Sequence, residues 1–259
     1  CFKSSLLYSP DNKFNYFVSF SRGFKSGGVN QHPYLSDLNR PYFPEYIRNF
    51  EFGFKYFRND NIIMVTLFNS IRDNQQVSIS SQQDKNDPSS FFFYTANAGV
   101  GNNTGLEFES SFKLLPNLSF KTNFGILKTY IEKFSFMSYS GPEFGGDRKA
   151  AMSPELMGSI TINYQIENLN IIANSTYKDE YYFSDSHNEK SKPYSLSNIT
   201  MIRSYNKLSL KFWMRNLFDK RYEIRGFYFG LIPPNFDEQL FVSYGDPREV
   251  GIGLEYHLK

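Results

Sequence analysis

Apolar and polar side chains alternate along much of this chain with a period of two residues. Residues 118–126 are the clearest case, because Phe120, Phe124 and Ile126 fall on one face while Lys121 and Asn123 fall on the other. Successive side chains of a β-strand point to opposite faces, so this alternation predicts strands with one apolar and one polar face. The pattern recurs in residues 14–20, 50–56, 106–114, 156–164, 207–215 and 250–258, and less regularly in residues 61–72 and 193–203. We therefore expect an all-β chain.

Along the chain, the connections between the predicted strands alternate between short and long. The short connections, rich in the Asn, Asp and Pro that favour tight turns, are residues 9–12, 58–61, 115–117, 166–168 and 204–206. The long ones are residues 24–44, 74–100, 133–153, 184–192 and 217–246. Outer-membrane barrels have short periplasmic turns and long extracellular loops, and about 9 to 11 tilted residues cross a bilayer. The alternation of short and long connections and the lengths of the predicted strands favour an antiparallel transmembrane β-barrel.

Composition supports this fold class and excludes others. The mean hydropathy is −0.47 and no run of about 18 apolar residues occurs, which excludes helical membrane spans. The net charge of +2 is too small for a general attraction to nucleic acid. Aromatic residues make up 19% of the chain, and tyrosine collects at the two membrane interfaces. The expected belt near the short turns is Tyr8, Tyr16, Tyr56, Tyr164 and Tyr256. In the alternative interpretation, the aromatic residues fill the core of a soluble β-sandwich.

The number of predicted strands constrains the assembly. The patterns give about eleven strands joined by hairpin-type connections. With an odd number of antiparallel strands, the first and the last point the same way and cannot close on each other, which leaves two edges that a bilayer does not tolerate. We therefore expect residues 1–259 to be the C-terminal part of a larger barrel, and a beginning at Cys1 without an initiator Met fits a truncated sequence.

Five sequence motifs resemble segments of one known family. In chain order they are residues 20–30 (FSRGFKSGGVN), 44–55 (PEYIRNFEFGFK), 96–109 (ANAGVGNNTGLEFE), 216–222 (NLFDKRY) and 246–251 (DPREVG). Each is similar to a strand or loop segment of the TonB-dependent outer-membrane receptors, and together, in the family's order, they cover almost the whole chain. One position departs from the family: Leu258, followed by Lys259, stands where the family usually ends on an aromatic residue.

The resemblance implies a 22-stranded barrel with a plugged lumen, of which this chain supplies about eleven strands without the plug domain. It implies a receptor in the outer membrane of a Gram-negative bacterium that imports a scarce ligand. A ferric siderophore or a similar iron complex is the expected cargo, and haem and cobalamin are alternatives. The expected partners are outer-membrane lipid, this small-molecule ligand and the TonB system, which acts through an N-terminal region absent from these residues. Nucleic acid is not expected.

The expected ligand-binding residues are aromatic and charged residues of the long loops. They are Tyr34, Tyr42, Phe43, Tyr181, Tyr182, Arg225, Phe227 and Tyr228. In the alternative interpretation these side chains form the upper aromatic girdle or pack the loops. Girdle membership is favoured for Tyr181, Tyr182 and Phe183, which are predicted to end a strand.

Other chemistry is not expected. The sequence has no hydrolase, metalloprotease or nucleotide-binding fingerprint, so we predict no enzyme activity, no catalytic residue, no metal site and no cofactor. His187 is interpreted as a solvated loop histidine rather than a metal ligand. Glu107 and Glu109 share one strand face and are expected to line a polar lumen, paired with Lys113 or Lys121.

Two other functions remain open at this point. A passive porin-like channel would have an even number of strands in one chain and a constricting charged loop. A secreted all-β binding domain would be soluble without detergent.

Overall fold

The computed structural model of the chain describes residues 1–33, 35–84, 87, 90–138, 141–185, 187–230, 232–235, 237, 239–256 and 258. One expected ligand-binding residue, Tyr34, lies outside them. Eleven strands form a single large sheet: β1 (Phe2–Tyr8), β2 (Phe14–Lys25), β5 (Glu45–Arg58), β6 (Asn61–Asp73), β9 (Val100–Leu115), β10 (Leu118–Ile131), β13 (Leu156–Ile166), β14 (Leu169–Lys178), β15 (Tyr194–Tyr205), β16 (Leu208–Arg215) and β19 (Glu249–Tyr256). The other strands form hairpins within the long loops: β3 (Gly28–Val29), β4 (Pro41–Tyr42), β7 (Gln76–Gln82), β8 (Phe91–Asn97), β11 (Phe134–Ser138), β12 (Gly141–Gly145), β17 (Glu223–Phe229) and β18 (Gln239–Tyr244).

The large sheet is a meander in which every pair of neighbours is antiparallel. Its order is β1-β2-β5-β6-β9-β10-β13-β14-β15-β16-β19, so the predicted number of strands and the antiparallel arrangement are confirmed. Tight turns join the strands at one end, with left-handed residues such as Asn59, Glu167 and Asn206 in three of them. Five longer connections, L1 (residues 26–44), L2 (74–99), L3 (132–155), L4 (179–193) and L5 (216–248), lie at the other end.

The strand register joins apolar side chains into continuous rows on one face of the sheet. One row passes through Leu6, Val18, Phe52, Leu67, Leu106, Ile126 and Leu156. Another passes through Phe112, Phe120, Ile162, Ala173, Ile199, Met214 and Val250. These rows are not shielded: Leu254 is 68% exposed and Ile252 is 80% exposed. A soluble sandwich would bury such rows, whereas hydrocarbon covers them in a barrel.

Tyrosines gather near the tight turns on the apolar face. Tyr8 stacks on Tyr16 with ring centroids 6.4 Å apart, and Tyr56 lies 4.8 Å from Phe14. Tyr164 and Tyr256 occupy corresponding positions near the same end of β13 and β19, opposite Leu118 and Leu208 respectively. The expected tyrosine belt is therefore present at this end of the sheet, where amphipathic rings suit the membrane interface.

The buried apolar core of the described chain lies among the loops instead of against a face of the large sheet. Its members are Leu35, Val77, Ile79, Phe92, Tyr94, Ala98, Ile131, Phe134 and Phe136. They come from L1, L2 and L3 together with the last residue of β10, and Ile79 and Ile131 are fully buried. No helix in the described part of the chain is long and apolar enough to cross a membrane.

Candidate functional site

The inward face of the large sheet is a polar wall. On β2 and β5, Ser19 donates a hydrogen bond to Glu51 (2.9 Å), and Asn49 donates to the same carboxylate (2.8 Å). Ser70 of β6 donates to Asn49 (2.5 Å). A concavity of about 470 Å³ on this wall is lined by Asn49, Glu51, Ser70 and Glu107 of β9, among other residues. Polar groups fit this face because the apolar rows occupy the opposite one.

The acidic residues of this wall are not paired as expected. Lys113 bonds to Asp60 at the tight turn (3.2 Å), so its proposed pairing with Glu107 or Glu109 is wrong. Glu109 lies opposite Asn123 on one side and Met64 on the other. Among the described residues, no cation lies within ion-pair distance of either glutamate. These two carboxylates therefore add negative charge to this part of the wall.

Cationic side chains lie further round the same wall, on β16. Lys211, Trp213 and Arg215 occupy the inward positions of β16, next to Asn198 and Thr200 of β15. Arg215 makes an ion pair of 3.6 Å with Glu249 of β19 and lies over the Trp213 ring. The wall therefore carries both acidic side chains, such as Glu51 and Glu107, and basic ones, such as Lys211 and Arg215.

Several motif residues act as anchors for the loops. Glu45, at the start of β5, is 6% exposed. Its carboxylate accepts hydrogen bonds from the Arg72 guanidinium (2.7 Å) and from the backbone N–H of Gln76 (2.8 Å). The Gln76 side chain in turn donates to the carbonyls of Ser26 and Phe43. One buried carboxylate thus joins L1, β6 and L2.

Two asparagines of the motifs extend this junction. Asn97 accepts a hydrogen bond from the N–H of Phe43 (2.7 Å) and donates to the carbonyls of Phe43 and Asn74. Asn30 forms a reciprocal pair with the backbone of Thr95, donating at 2.8 Å and accepting at 2.9 Å. An Asn side chain can donate and accept at once, which suits it to satisfying exposed backbone groups between loops.

L3 joins the loops on both of its sides. The Tyr94 hydroxyl of L2 donates to the carbonyl of Met137 and accepts from its N–H (3.0 and 2.8 Å), and burial raises the pKa of this phenol. On the other side, Arg148 donates to Ser184 (2.6 Å) and Asn188 (2.7 Å) of L4. L1 to L4 are therefore one continuous, mutually supported layer.

L4 and L5 pack through aromatic residues. Tyr181 is 5% exposed and donates its hydroxyl to the carbonyl of Ile224 (3.1 Å), and Phe183 packs directly on Gly226. β14 ends at Lys178, so the prediction that Tyr181, Tyr182 and Phe183 end a strand is wrong. The aromatic side chains of Tyr181 and Phe183 face the neighbouring loop because no strand ladder directs them towards lipid.

His187 sits within this L4–L5 contact. Its ring meets the Tyr228 ring edge-on at 5.3 Å, and Tyr228 donates its hydroxyl to Glu189 (2.8 Å). Burial is the main cause that lowers the pKa of His187, and the nearby Arg148 lowers it further, while Glu189 opposes the shift. The histidine is therefore half-buried and neutral at neutral pH, in contrast to the solvated residue expected from sequence.

A basic and aromatic pocket lies where β15 meets L5. It is lined by Lys192, Pro193, Tyr194, Lys220, Arg221, Tyr222, Glu223 and Tyr244, and has a volume of about 300 Å³. The rings of Tyr194 and Tyr222 lie 4.6 Å apart, and the Arg221 guanidinium lies 4.0 Å above the Tyr244 ring. Tyr194 is opposite Lys178 on the inward face of the sheet, so the pocket lies where this face meets the loops.

The local sequence builds one side of this pocket. Asn216 and Asp219 have positive φ values of 46° and 52°, a conformation that Asn and Asp tolerate better than most residues. The buried Asn216 side chain donates to the carbonyls of Lys220 and Asp246 and accepts from the N–H of Lys220. The NLFDKRY motif therefore fixes the backbone of residues 216–222. Lys220 and Tyr222 could be found from the sequence because they belong to this motif. Lys192 and Tyr244 lie in no motif, so nothing in the local sequence marks them as pocket residues.

The expected ligand-binding residues fall into two groups that the structure does not bring together. Tyr42, which packs against Gly28, and the exposed Phe43 belong to the L1–L2 junction. The second group lies in L4 and L5. There Tyr181 is buried, Tyr182 lies between Arg148 and Lys190 at 4.3 and 4.7 Å, and Tyr228 bonds to Glu189. Arg225 and Phe227 are exposed on β17. No group of three or more His, Cys, Asp and Glu side chains in the described part of the chain is arranged to hold a metal ion.

These features define the wall of a transmembrane β-barrel: a long antiparallel meander, apolar rows on one face, a polar wall on the other and a folded layer of loops at one end. The family model described as "TonB dependent receptor-like, beta-barrel" matches residues 2–217. The chain belongs to this family, which consists of receptors and transporters of the outer membrane.

Solved structures share the fold over nearly the whole chain. The ferric yersiniabactin uptake receptor FyuA of Yersinia pestis matches with a TM-score of 0.79 and 18% identity, over 98% of this chain and 36% of the receptor. The siderophore receptor PiuA of Acinetobacter baumannii matches with a TM-score of 0.72 and 16% identity, over 98% and 35%. The ferric-catecholate import receptor Fiu of E. coli K12 matches with a TM-score of 0.70 and 15% identity, over 99% and 34%. This chain therefore spans about a third of the length of these receptors.

Proposed function

We propose that this chain is the C-terminal part of the barrel of an outer-membrane receptor that takes up a scarce ligand, a ferric siderophore or a similar iron complex, with energy delivered by the TonB system. The observation that carries the proposal is the eleven-stranded sheet with apolar rows on its lipid face and a charged wall on the other. Membership of the family and the iron-complex receptors among the similar structures support it.

The size of the sheet favours a gated importer over a passive pore. Eleven strands at a spacing of about 4.8 Å span an arc of about 50 Å. A closed barrel of twice that number of strands needs a plug, because barrels of 16 to 18 strands already leave an aqueous channel. A plugged lumen stops passive leak, so cargo passes only when work displaces the plug. The polar wall supplies hydrogen-bonding groups for such an insert, including Glu51 and Asn49.

The layer of loops favours a receptor. Binding from outside requires a surface that holds its shape before the ligand arrives, because ordering flexible loops during binding costs affinity. Glu45, Asn97 and Arg148 fix the loops to each other. The exposed Phe43, Arg225 and Phe227 then project from an ordered layer. We assign them, with Tyr42, Tyr182 and Tyr228, as the loop residues available to cargo or to the walls of its entrance.

Uptake of radiolabelled iron tests this function. Cells that carry the complete gene are compared with a deletion strain under iron limitation, using ferric siderophores of the catecholate and hydroxamate classes. The expected result is gene-dependent accumulation of iron that stops when the proton gradient is dissipated or the TonB protein is removed. Gene-dependent uptake that continues without energy would establish a passive channel instead. Recovery of the protein from cells without detergent would favour a secreted domain.

A further inference from the structure

The lipid-facing side of the sheet carries a patch of polar side chains just below the loop layer, on β2 to β10. Two neighbouring rows of the register supply the members of this outer polar patch, which are Arg22, Arg48, Asn69, Asn102, Thr104, Lys128 and Tyr130. They share a face with the apolar rows, because Lys128 lies two residues from Ile126 and Thr104 lies two residues from Leu106. Contact with hydrocarbon alone does not account for such groups.

The patch is confined to one part of the sheet. On the same face of the described strands β13 to β16 and β19, the one charged side chain is Arg203, which lies near the tight turns at the opposite end. A general boundary of the membrane would place charges around the whole sheet at this height. The outer polar patch is therefore a local feature that needs its own explanation.

Two cations of the outer polar patch have no carboxylate partner. Arg48 makes an ion pair of 3.0 Å with Asp73. Arg22 and Lys128 are exposed, and neither forms an ion pair with any described residue. Arg22 lies directly opposite Arg48 in the register and over the Tyr46 ring, 5.3 Å from its centroid. Unneutralised charge beside hydrocarbon is costly, so these cations favour an anion at the membrane surface.

Neutral hydrogen-bonding groups lie between the two cations. Asn69 donates to Asn102 (3.0 Å) and to the Thr104 hydroxyl (2.7 Å), which holds the three side chains in one network. Beside them, the Tyr130 hydroxyl donates to Asp147 (2.8 Å). Amide and hydroxyl groups both donate and accept hydrogen bonds, so they suit a ligand that carries many hydroxyls, such as a sugar.

The dimensions and the surroundings of the outer polar patch suit a lipid headgroup. Arg48 on β5 and Lys128 on β10 are three strand spacings apart, or about 14 Å at about 4.8 Å for each spacing. A disaccharide with a phosphate at each end spans a comparable length. Directly towards the tight turns lie exposed apolar side chains that acyl chains can cover, including Phe50, Leu67 and Ile126.

From this combination of cations, sugar-compatible groups and adjoining apolar rows, we propose that the outer polar patch binds the headgroup of a phosphorylated glycolipid of the surrounding membrane. One phosphate faces Arg22 and Arg48, a second faces Lys128, and the sugar hydroxyls meet the network of Asn69 and Thr104. The adjoining apolar rows favour a lipid over a soluble phosphate. The site goes beyond the proposed function, because it lies on the outside of the wall and does not involve the cargo.

The test measures lipid binding to the complete receptor, released from detergent micelles, by native mass spectrometry. The probes are diphosphoryl lipid A, its monophosphoryl form, phosphatidylglycerol and phosphatidylcholine. The wild-type receptor should bind the diphosphoryl form most tightly. The double variant Arg22→Gln/Lys128→Gln should bind it about tenfold more weakly, the effect of losing charge-assisted contacts in a partly exposed site. Its binding of phosphatidylcholine should not change.

Three further variants fix the sign, the sugar contact and the location. Asp73→Asn removes the competing carboxylate beside Arg48, so it should strengthen binding of diphosphoryl lipid A about two- to threefold. Thr104→Val should weaken it about threefold and leave phosphatidylglycerol, which has no sugar, unaffected. Lys13→Gln/Lys207→Gln makes the same change of charge in two exposed tight turns at the other end of the sheet, and it should leave binding unchanged. Heat-modifiable mobility on gels verifies that each variant barrel is folded.

Three results would each overturn the assignment. The first is a wild-type receptor that does not distinguish diphosphoryl lipid A from phosphatidylcholine. The second is equal weakening by the patch and control double variants. The third is binding of inorganic phosphate as tight as that of diphosphoryl lipid A, which would indicate a site for free phosphate. Monophosphoryl lipid A bound as tightly as the diphosphoryl form would remove the second phosphate contact, at Lys128.

Discussion

The contact between Glu45 and Arg72 is the clearest place to test how the loop layer is held. We consider Glu45→Gln, which keeps the shape of the side chain and an oxygen that can accept from the Gln76 N–H, but removes the charge. The Arg72 guanidinium is then left beside a neutral amide. In the wild type the Arg72 side chain is 30% exposed and the Glu45 side chain is 7% exposed.

The expected magnitude follows from this partial burial. Breaking a fully buried ion pair costs about 3 to 5 kcal/mol, and an exposed pair contributes about 0 to 1 kcal/mol. Water still reaches one side of Arg72, and the hydrogen bond of Gln76 is retained, so we expect a loss of about 2 kcal/mol from the L1–L2 junction. Since about 1.4 kcal/mol is a factor of ten, local opening should become about 30-fold more frequent.

Native-state hydrogen exchange measures this opening directly, because amides exchange through local as well as global unfolding. The Gln76 amide and its neighbours in β7 should exchange about 30-fold faster in Glu45→Gln, while amides in β13 to β16 should keep their rates. The matched control is Asp60→Asn, which neutralises an exposed pair with Lys113 (3.2 Å) at a tight turn. Unchanged exchange in β7, or the same acceleration in the control, would refute the assignment of Glu45 as the anchor.

Other residues give further measurable expectations. Ile79→Ala should destabilise the L1–L3 core by about 2 to 5 kcal/mol, because Ile79 is fully buried; proteolysis within L2 should accelerate, and unchanged cleavage would argue against this core. Burial and Arg148 lower the pKa of His187 from its ordinary value of 6.5, so the opened segment binds a proton more readily. The L4–L5 contact should therefore weaken as pH falls through about 6.5, and L4 exchange rates in His187→Gln should lose this dependence. Phe120→Arg should impair membrane insertion by about 2 to 4 kcal/mol if Phe120 lies near the midplane, whereas Asn123→Arg on the polar wall should be tolerated. Equal insertion defects in a folding assay with lipid vesicles would contradict the assigned faces.

The strands were predictable because their signal is local. A period of two over residues 118–126 needs no information about partners: one face must meet hydrocarbon and the other must not. The tight turns are equally local, since Asn59 and Asn206 adopt the left-handed conformation that Asn favours. Sequence alone therefore gave the fold class, the number of strands and the end at which the long loops lie.

The interior of the loop layer was not predictable in the same way. Its contacts join residues far apart in sequence, as in the pairing of Asn30 with Thr95 and the bond from Arg148 to Ser184. A loop tyrosine such as Tyr181 carries the same local signal whether it faces cargo, lipid or a neighbouring loop. Its burial is decided by L5, which follows it in the chain. The basic pocket has the same origin, because Lys192 and Tyr244 meet only after L4 and L5 have folded.

The large sheet and the loop layer bury their apolar side chains in different surroundings. The sheet buries them against lipid, and the loop layer buries them within the protein. The rows on the large sheet, including Ile252 and Leu254, remain exposed in the folded chain, so the hydrophobic contribution of those rows arises when lipid or detergent covers them. The L1–L3 core buries Ile79, Phe92 and Ile131 within the protein itself. Loss of a contact in the loop layer should therefore alter ligand access without changing insertion, whereas a charge on the apolar rows should prevent insertion before the loops can act. This separation is the reason that hydrogen exchange within the loops, measured in a barrel already inserted, is the appropriate readout for the Glu45 anchor.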